Sequence, residues 1–152
     1  MMVDVEAEGS ADTEARSGEY RLQDQIGFIL RKAHQRHIAI FAAHIGDLTP
    51  PQFAALCKLH DLGECSQNHL GQLIAMDAAT IKGVIDRLKS RGLVATAEDQ
   101  EDRRRVIVSL TELGSATIVP LLETGQRISA DTLGPLNNRE TATLLKLLAK
   151  IT

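Results

Sequence analysis

The chain has 152 residues, of which 43% are apolar, so it is the length of one domain and can bury a core. Aromatic residues make up only 3% and Trp is absent, so the core must be aliphatic, and aliphatic cores of this kind favour helices over a β-sandwich. No apolar run reaches the roughly 18 residues of a membrane span. The 2 cysteines cannot form a disulfide framework, and we expect a cytoplasmic protein.

Charge is distributed unevenly along the chain. The net charge is −3, but residues 1–19 hold six acids and one base, which leaves the remainder mildly basic. Residues 1–19 also lack apolar periodicity, and we interpret them as an acidic mobile tail. The net charge therefore does not exclude a nucleic-acid partner, and the local clusters of charged residues are the better guide to the partner.

Apolar residues recur at three- and four-residue steps over residues 22–44, which predicts one long amphipathic helix that ends near Gly46. Thr49, followed by two prolines, marks the start of a second helix over residues 51 to about 62. A long amphipathic helix at the end of a small domain often needs a partner helix from another chain.

Two short helices joined by a tight turn are predicted next. Ser66 is placed to cap a helix over residues 67 to about 75, and Asp77 to cap another over residues 78–91. Apolar residues at helical spacing give the second helix an inward face, and Gly92 ends it. This arrangement is the helix-turn-helix pattern.

A β-hairpin with a charged tip follows. Residues 93–96 and 106–110 are predicted strands, and every residue from 98 to 105 is charged except Gln100. Such a hairpin placed after a helix-turn-helix is called a wing. Thr111 then caps a long helix over residues 112 to about 132, and a last helix opens at residues 136–138, so the predicted fold is mainly α with a small β-hairpin wing.

Helix and wing together favour double-stranded DNA as the partner. The side chains opposite the inward face of the helix over residues 78–91 are small or polar, which permits a close approach to bases and phosphates. Three consecutive arginines at the wing tip suit the negative potential of a minor groove. Either feature alone is also explained by a solvated surface. The predicted DNA-contacting residues are Ser66, Gln67, Ala79, Thr80, Lys82, Gly83, Arg87, Arg103, Arg104 and Arg105.

Residues 48–114 resemble the winged-helix core of the MarR family of transcriptional regulators. The most specific match is Asp99-Gln100-Glu101-Asp102-Arg103-Arg104, and residues 70–73, 80–88, 91–94 and 108–114 match as well. Gln100 departs from the family pattern, which usually has Pro there. With the flanking helices included, the resemblance extends over about residues 20–151.

The resemblance implies a homodimer in which residues 20–47 and 112–152 form a helical dimerisation region and residues 48–111 the DNA-binding domain. Two recognition helices would then bind a pseudo-palindromic operator with half-sites about one helical turn apart. The family's wing-stabilising pair falls on Asp102 or Asp99 with Arg104, and its minor-groove arginine on Arg103 or Arg104. The implied function is that of a ligand-responsive repressor.

Family members typically release DNA when a small aromatic or phenolic acid binds between the dimerisation region and the winged helix. Such a site needs apolar walls and a cation or hydrogen-bond donor for the carboxylate. Residues 34–37 also resemble the regulators of nicotinate and related aromatic-acid catabolism. For His37, which lies on the apolar stripe, a purely structural interface role is the alternative. The predicted effector-binding residues are Arg31, His34, His37, Phe53, Cys57 and His60.

Other functions are carried by fewer features of the sequence. A zinc sensor would use His34, His37 and His44, an oxidant sensor Cys57 or Cys65, and a protein-interaction module would have no need of the wing arginines. A Gly-rich phosphate loop, a nucleophile elbow and a metal-binding helix motif are all absent from the sequence, so we expect no enzyme, no cofactor and no metal. The effector and the operator are not specified by the sequence.

Overall fold

The computed structural model describes residues 18–152, so the predicted acidic tail lies almost entirely outside the described residues. A short 3-10 helix precedes six α-helices and three strands within this range. The fold is mainly α with a small β-hairpin wing, as predicted. The elements in chain order are the 3-10 helix Leu22–Asp24, α1 Ile26–His44, α2 Pro50–Leu62, β1 Glu64–Ser66, α3 Gln67–Leu73, α4 Ala78–Ser90, β2 Val94–Glu98, β3 Val106–Leu110, α5 Glu112–Thr132 and α6 Asn138–Ala149.

Side-chain caps set where most of the helices begin. The hydroxyl of Thr49 accepts a hydrogen bond from the Gln52 amide, and the Gln52 side chain accepts one from the Thr49 amide, which is a complete capping box at α2. Ser66, Asp77 and Thr111 cap α3, α4 and α5 with a single hydrogen bond each, which the side chain accepts from the amide three residues on. All four predicted caps are therefore confirmed.

Three predicted helix bounds and one strand need correction. The predicted helix over residues 22–44 is interrupted, because Leu22–Asp24 form a separate 3-10 helix, Gln25 is extended and α1 begins at Ile26. The helix α3 ends at Leu73 instead of near residue 75, because Ala75 adopts a positive φ of 57° that a right-handed helix does not allow. The first strand of the wing, β2, begins at Val94 and runs to Glu98, past the predicted end at residue 96. The helix α4 ends at Ser90, and Gly92 follows it with a φ of 74°, as its predicted role as helix terminator requires.

The sheet has a third strand that the sequence did not predict. The order is β1-β3-β2, all antiparallel, so that β3 lies in the middle with Val108 opposite both Cys65 and Thr96. β1 has only three residues, too few for a period of two to be visible in the sequence. It attaches the start of α3 to the wing, because Ser66 lies opposite Ile107 of β3.

The core lies within the winged helix and the adjoining parts of α1 and α5. Its largest fully buried side chains come from α2, α3, α4, β3 and α5, and they are Leu56, Leu59, Leu70, Ile81, Ile85, Leu88, Val108 and Ile118. Gly114, in the first turn of α5, is needed there because a Cβ atom would overlap with the carbonyl oxygen of Leu93. The start of α5 is thus in close backbone contact with Leu93, which follows α4.

The outer helices leave much of their apolar surface exposed. α1 packs against α5, but of its side chains only that of Phe41 is buried. α6 has no buried residue, and none of the other described elements packs closely against it. No helix within residues 18–152 is long and apolar enough to span a membrane. The exposed apolar side chains of α1 and of the α6 end of the chain are Ile26, Ile29, Leu30, Leu144, Leu145, Leu147 and Ile151.

Candidate nucleic-acid interface

The helix α4 presents one face to the core and the opposite face to solvent. Its apolar stripe of Ile81, Val84, Ile85 and Leu88 is buried. Asp77 fixes the first turn, because its Oδ1 accepts a hydrogen bond from the Thr80 amide at 2.8 Å. The hydrogen bond from the Thr80 amide holds the pKa of Asp77 below its ordinary value. The negative charge at this position also suits the positive end of the helix dipole.

The outer face of α4 holds the residues that were predicted to contact DNA. Ala79, Thr80, Lys82 and Arg87 are exposed, and Gly83 is half-buried. A Cβ atom at Gly83 would lie 3.7 Å from a guanidinium nitrogen of Arg87, so the Arg87 side chain leans back over the helix at this glycine. The outer face of α4 therefore combines small residues, Ala79 and Gly83, with the cationic side chains of Lys82 and Arg87.

Two side-chain contacts on α4 were not predicted from the sequence. Lys82 Nζ donates to Asp86 Oδ2 at 2.8 Å across one turn of the helix. Lys89 Nζ donates to the Thr96 hydroxyl at 2.6 Å, which ties α4 to strand β2. The second contact joins residues from different elements, and periodicity within one element gives no signal for it.

Two aspartates order the tip of the wing through backbone and side-chain contacts. Asp99 Oδ1 accepts a hydrogen bond from the Glu101 amide, and Asp102 Oδ1 accepts one from the Arg104 amide, both at 3.0 Å. Asp102 also pairs with Arg104 Nε at 3.3 Å, and Asp99 pairs with Arg105 at 3.6 Å. Of the two carboxylates expected as the partner of Arg104, the structure selects Asp102.

The wing arginines differ in how firmly they are held. Arg105 is paired with Asp99, whereas the Arg104 side chain is 92% exposed beyond its contact with Asp102. Arg103 is exposed and forms no ion pair with any residue in the described part of the chain. Arg103 and Arg104 are thus the two guanidiniums that project from the wing.

A small polar cavity lies where the start of α3 meets the tip end of the wing. Its volume is about 120 Å³, and Gln67, Asn68, Arg104 and Arg105 are among its lining residues. Ser66 is buried, and its hydroxyl accepts a hydrogen bond from the His69 amide at 3.2 Å. The Ser66 side chain is therefore occupied as a helix cap, while Gln67 and the arginines line the opening.

The six predicted effector-binding residues are spread over α1 and α2. Arg31 and His34 are exposed on α1, and His60 is exposed near the end of α2. His37 Nδ1 lies 2.9 Å from the hydroxyl of Thr132 at the end of α5. Phe53 makes an edge-to-face contact with Phe41, with ring centroids 5.7 Å apart.

Cys57, the sixth of these residues, packs against the core. Burial, assisted by the nearby Asp61 carboxylate, raises the pKa of its thiol to about 11. Burial also raises the pKa of the Cys65 thiol. A raised pKa disfavours the reactive thiolate form of both residues, which argues against either as an oxidant sensor.

The predicted zinc ligands do not assemble. Within residues 18–152, no three His, Cys, Asp or Glu side chains lie close enough together to hold a metal ion. His44 Nε2 instead lies 2.7 Å from Asp131 Oδ2, and Arg36 donates to the backbone carbonyls of Asp131 and Thr132. Arg36, His37 and His44 of α1 thus hold the C-terminal end of α5.

A larger cavity that the sequence did not indicate lies between α1, α5 and the end of α4. Its volume is about 470 Å³, and His44, Arg91, Leu113, Thr117 and Leu121 are among its lining residues. Arg91, just after α4, donates to the backbone carbonyl of Asp47 at 2.6 Å. The residues meet across long sequence separations, so no local pattern marks them.

Comparison with known proteins identifies the family. Residues 48–106 match the model of the MarR family. The chain is 45% identical to the HTH-type transcriptional repressor NicR of Pseudomonas putida over 134 residues, which cover 87% of this chain and 85% of NicR. The chain belongs to the MarR family. It is a winged helix-turn-helix transcriptional regulator, in agreement with the resemblance that its wing motif carries.

Two solved structures of MarR-type regulators extend the comparison to the fold. A probable transcriptional regulator from Pseudomonas aeruginosa is 51% identical and has a TM-score of 0.84, with 87% of this chain and 100% of that one covered. BpsR of Bordetella bronchiseptica, whose DNA binding is regulated by 6-hydroxynicotinic acid, is 42% identical with a TM-score of 0.84, covering 88% and 97%. The MarR fold therefore extends over the flanking helices as well as the winged core.

Proposed function

We propose that this MarR-family protein is a homodimeric repressor that binds a pseudo-palindromic operator and releases it when a small aromatic acid binds. The observation that carries the DNA-binding part is the paired exposure of the outer face of α4 and of Arg103 and Arg104 on the wing. A helix of this width fits a major groove, and a projecting guanidinium suits the neighbouring minor groove.

Exposed apolar surface supports the homodimer. Leu145 and Leu147 on α6 are 52% and 53% exposed, and Ile26 on α1 is 62% exposed. Apolar surface of this extent, carried by helices at both ends of the described chain, is expected to be covered by a partner. We assign residues 20–47 and 112–152 to the dimerisation region and residues 48–111 to the DNA-binding domain.

DNA binding is tested by fluorescence anisotropy with duplexes selected from genomic DNA. We expect nanomolar affinity for a pseudo-palindrome whose half-sites lie about 34 Å apart, and a steep loss of affinity as the salt concentration rises, because bound phosphates release counterions. An affinity that is independent of salt would contradict the phosphate contacts. Failure to select any duplex would favour a protein-interaction module instead.

The effector part of the proposal is supported by one relative. BpsR, whose DNA binding is regulated by 6-hydroxynicotinic acid, is 42% identical to this chain. We propose an aromatic carboxylate of the same class for this protein. Its recognition needs a cation or donor beside an apolar wall. The α1–α2 residues around His37 and Phe53 supply one such place, and the cavity beside His44 and Arg91 supplies another.

Thermal unfolding with 6-hydroxynicotinate, nicotinate and benzoate distinguishes the two places. A ligand at one hundred times its Kd adds about 2.7 kcal/mol to the stability of the folded state. We expect His37→Ala to abolish the rise in Tm and His44→Ala to retain it if the site is formed by the predicted residues. The reverse result would assign the effector to the cavity at Arg91, and the absence of any rise would contradict an aromatic-acid effector.

A further inference from the structure

One acidic side chain, that of Asp86, lies in the middle of the outer face of α4, although the surface around it is suited to DNA. At 100° per residue, Ala79, Gly83, Asp86 and Ser90 lie along the line opposite the buried stripe. Three of these residues are small, and only Asp86 carries a charge. Its side chain is 57% exposed, with Oδ2 2.8 Å from Lys82 Nζ.

The stability of the helix does not account for an acid at this place. Asp86 lies in the C-terminal half of α4, away from the first turn, where the helix dipole would stabilise a negative charge. The pair has its lysine N-terminal to its acid, which is the weaker orientation for a pair one turn apart, and both side chains are largely exposed. A carboxylate at the front of a DNA-binding helix also opposes the approach of phosphates.

Lys82 and Asp86 place a donor and an acceptor next to each other, and this matches one edge pattern in the major groove. A G·C pair presents the acceptors N7 and O6 of guanine and, beside them, the N4 amino donor of cytosine. An A·T pair alternates acceptor, donor and acceptor and ends in a methyl group. A paired ammonium and carboxylate therefore fit the G·C edge in a single orientation.

We propose that Asp86, acting with Lys82, is a specificity-determining residue that reads a G·C pair in each half-site. Lys82 donates to guanine O6 and N7, and Asp86 accepts a hydrogen bond from cytosine N4 while holding the ammonium in place. At other sequences the carboxylate lacks a donor and repels the DNA. Asp86 thus lowers non-specific binding more than operator binding. This inference rests on the proposed function, since it needs α4 in the major groove.

The test uses the full chain and three variants. Asp86→Asn keeps the shape and removes the charge, and Lys82→Gln removes the donor charge. Glu123→Gln is the matched control for charge, because Glu123 and Arg127 form an exposed pair one turn apart on α5 at 3.0 Å, and its loss changes the net charge by the same amount. Since α5 belongs to the proposed dimerisation region, sedimentation checks that this variant keeps the mass of the wild type. Each protein is used to select from a duplex library randomised within the half-site, and its affinity for operator and unrelated duplex is measured.

We expect the wild type to prefer G·C at one symmetric position in each half-site and Asp86→Asn to lose that preference alone. Its affinity for unrelated duplex should rise, and its ratio of specific to non-specific affinity should fall by roughly tenfold or more. Lys82→Gln should lose the same preference and bind all duplexes more weakly, whereas Glu123→Gln should behave as the wild type.

Three results would overturn the inference. Asp86→Asn could retain every base preference, Glu123→Gln could change the specificity ratio as much as Asp86→Asn does, or the position lost in Asp86→Asn could be an A·T pair. A wild-type protein that enriches no sequence would instead overturn the proposed function. Equal melting temperatures of wild type and Asp86→Asn separate a change in recognition from a folding defect.

Discussion

Helices α4 and α6 are similar in length and amphipathic pattern, yet the apolar face of α4 is buried in the protomer and that of α6 is exposed. α4 spans Ala78–Ser90 and buries four apolar side chains, whereas α6 spans Asn138–Ala149 and buries none. Both are capped by a side chain at the first turn, Asp77 in one and Asn137 in the other. An amphipathic pattern thus predicts a helix and an apolar face, but not the chain against which that face packs.

The same contrast extends to the two parts of the molecule. The winged core is closed, since residues from α2, α3, α4 and β3 bury one another completely. The flanking helices are only partly covered in the single protomer, since α5 buries Ile118 and Ile128 but leucines of α1 and α6 such as Leu30, Leu145 and Leu147 are exposed. The winged core therefore owes its stability to its own chain, and we propose that the flanking region owes its stability to a second copy.

Substituting one leucine in each helix gives the largest expected difference. Leu88→Ala removes a fully buried side chain and should lower the free energy of unfolding by about 2–5 kcal/mol at any protein concentration. Leu147→Ala should lower it less, and the loss should depend on concentration because the affected contacts join two protomers. Urea unfolding at several concentrations checks this. Equal losses that do not depend on concentration would contradict the contrast between the two regions.

The junction between the regions is tested at Gly114. A methyl group there would overlap with the Leu93 carbonyl oxygen, so Gly114→Ala should displace the start of α5 and cost about 1–3 kcal/mol of stability. Gly46→Ala is the matched control, because nothing lies within 4 Å of a Cβ atom at Gly46. Thermal unfolding of both variants measures the difference. A Gly114→Ala protein as stable as the control would show that the close packing is dispensable.

The wing is expected to matter for DNA and not for folding. Arg103→Ala and Arg104→Ala should each weaken operator binding by about 1–3 kcal/mol if the arginine contacts DNA directly, with the Tm unchanged. Lys146→Ala on α6 removes the same charge outside the proposed DNA-binding surface and should leave the affinity nearly unaltered. Anisotropy titrations at one salt concentration compare the three. Identical losses of affinity in all three variants would show that the wing arginines contribute only through their charge and not through direct contacts with DNA.

The smallest expected effect concerns pH and the cap of α4. The folded-state pKa of Asp77 is lowered, so its contribution to stability is present above the ordinary carboxyl pKa of 3.8 and is lost as the pH falls through the lower folded-state value. Wild type should therefore lose more stability than Asp77→Asn between pH 5 and pH 2, which urea unfolding at each pH measures. Parallel pH profiles would contradict a role for the charged cap.

Local signals account for what the sequence predicts correctly. Thr49, Ser66, Asp77 and Thr111 identify helix starts because a cap and its amide partner lie within three residues of each other. Alternation and β-branching locate β3, and the charged run locates the wing. The three-residue strand β1 escapes detection because its only partner is β3, more than forty residues away in the sequence.

The candidate DNA-binding residues are also marked by local signals, whereas the candidate effector-binding residues are not. The outer face of α4 and the wing arginines follow from helical and strand periodicity. Of the ten predicted DNA-contacting residues, seven are exposed, Gln67 and Gly83 are half-buried and Ser66 is buried. The contacts of His44 with Asp131 and of Arg91 with Asp47 join distant segments, and no periodicity indicates them. Effector residues remain predictions for that reason, because their neighbours are set by tertiary structure and by the second protomer.

The most direct test of the account is the mass of the protein in solution, alone and on a selected duplex of about three helical turns. Sedimentation should give twice the single-chain mass of 16.5 kDa for the free protein and two chains per duplex in the complex. A particle of 16.5 kDa at micromolar concentration, unchanged by any duplex, would contradict both the second copy and the paired recognition helices.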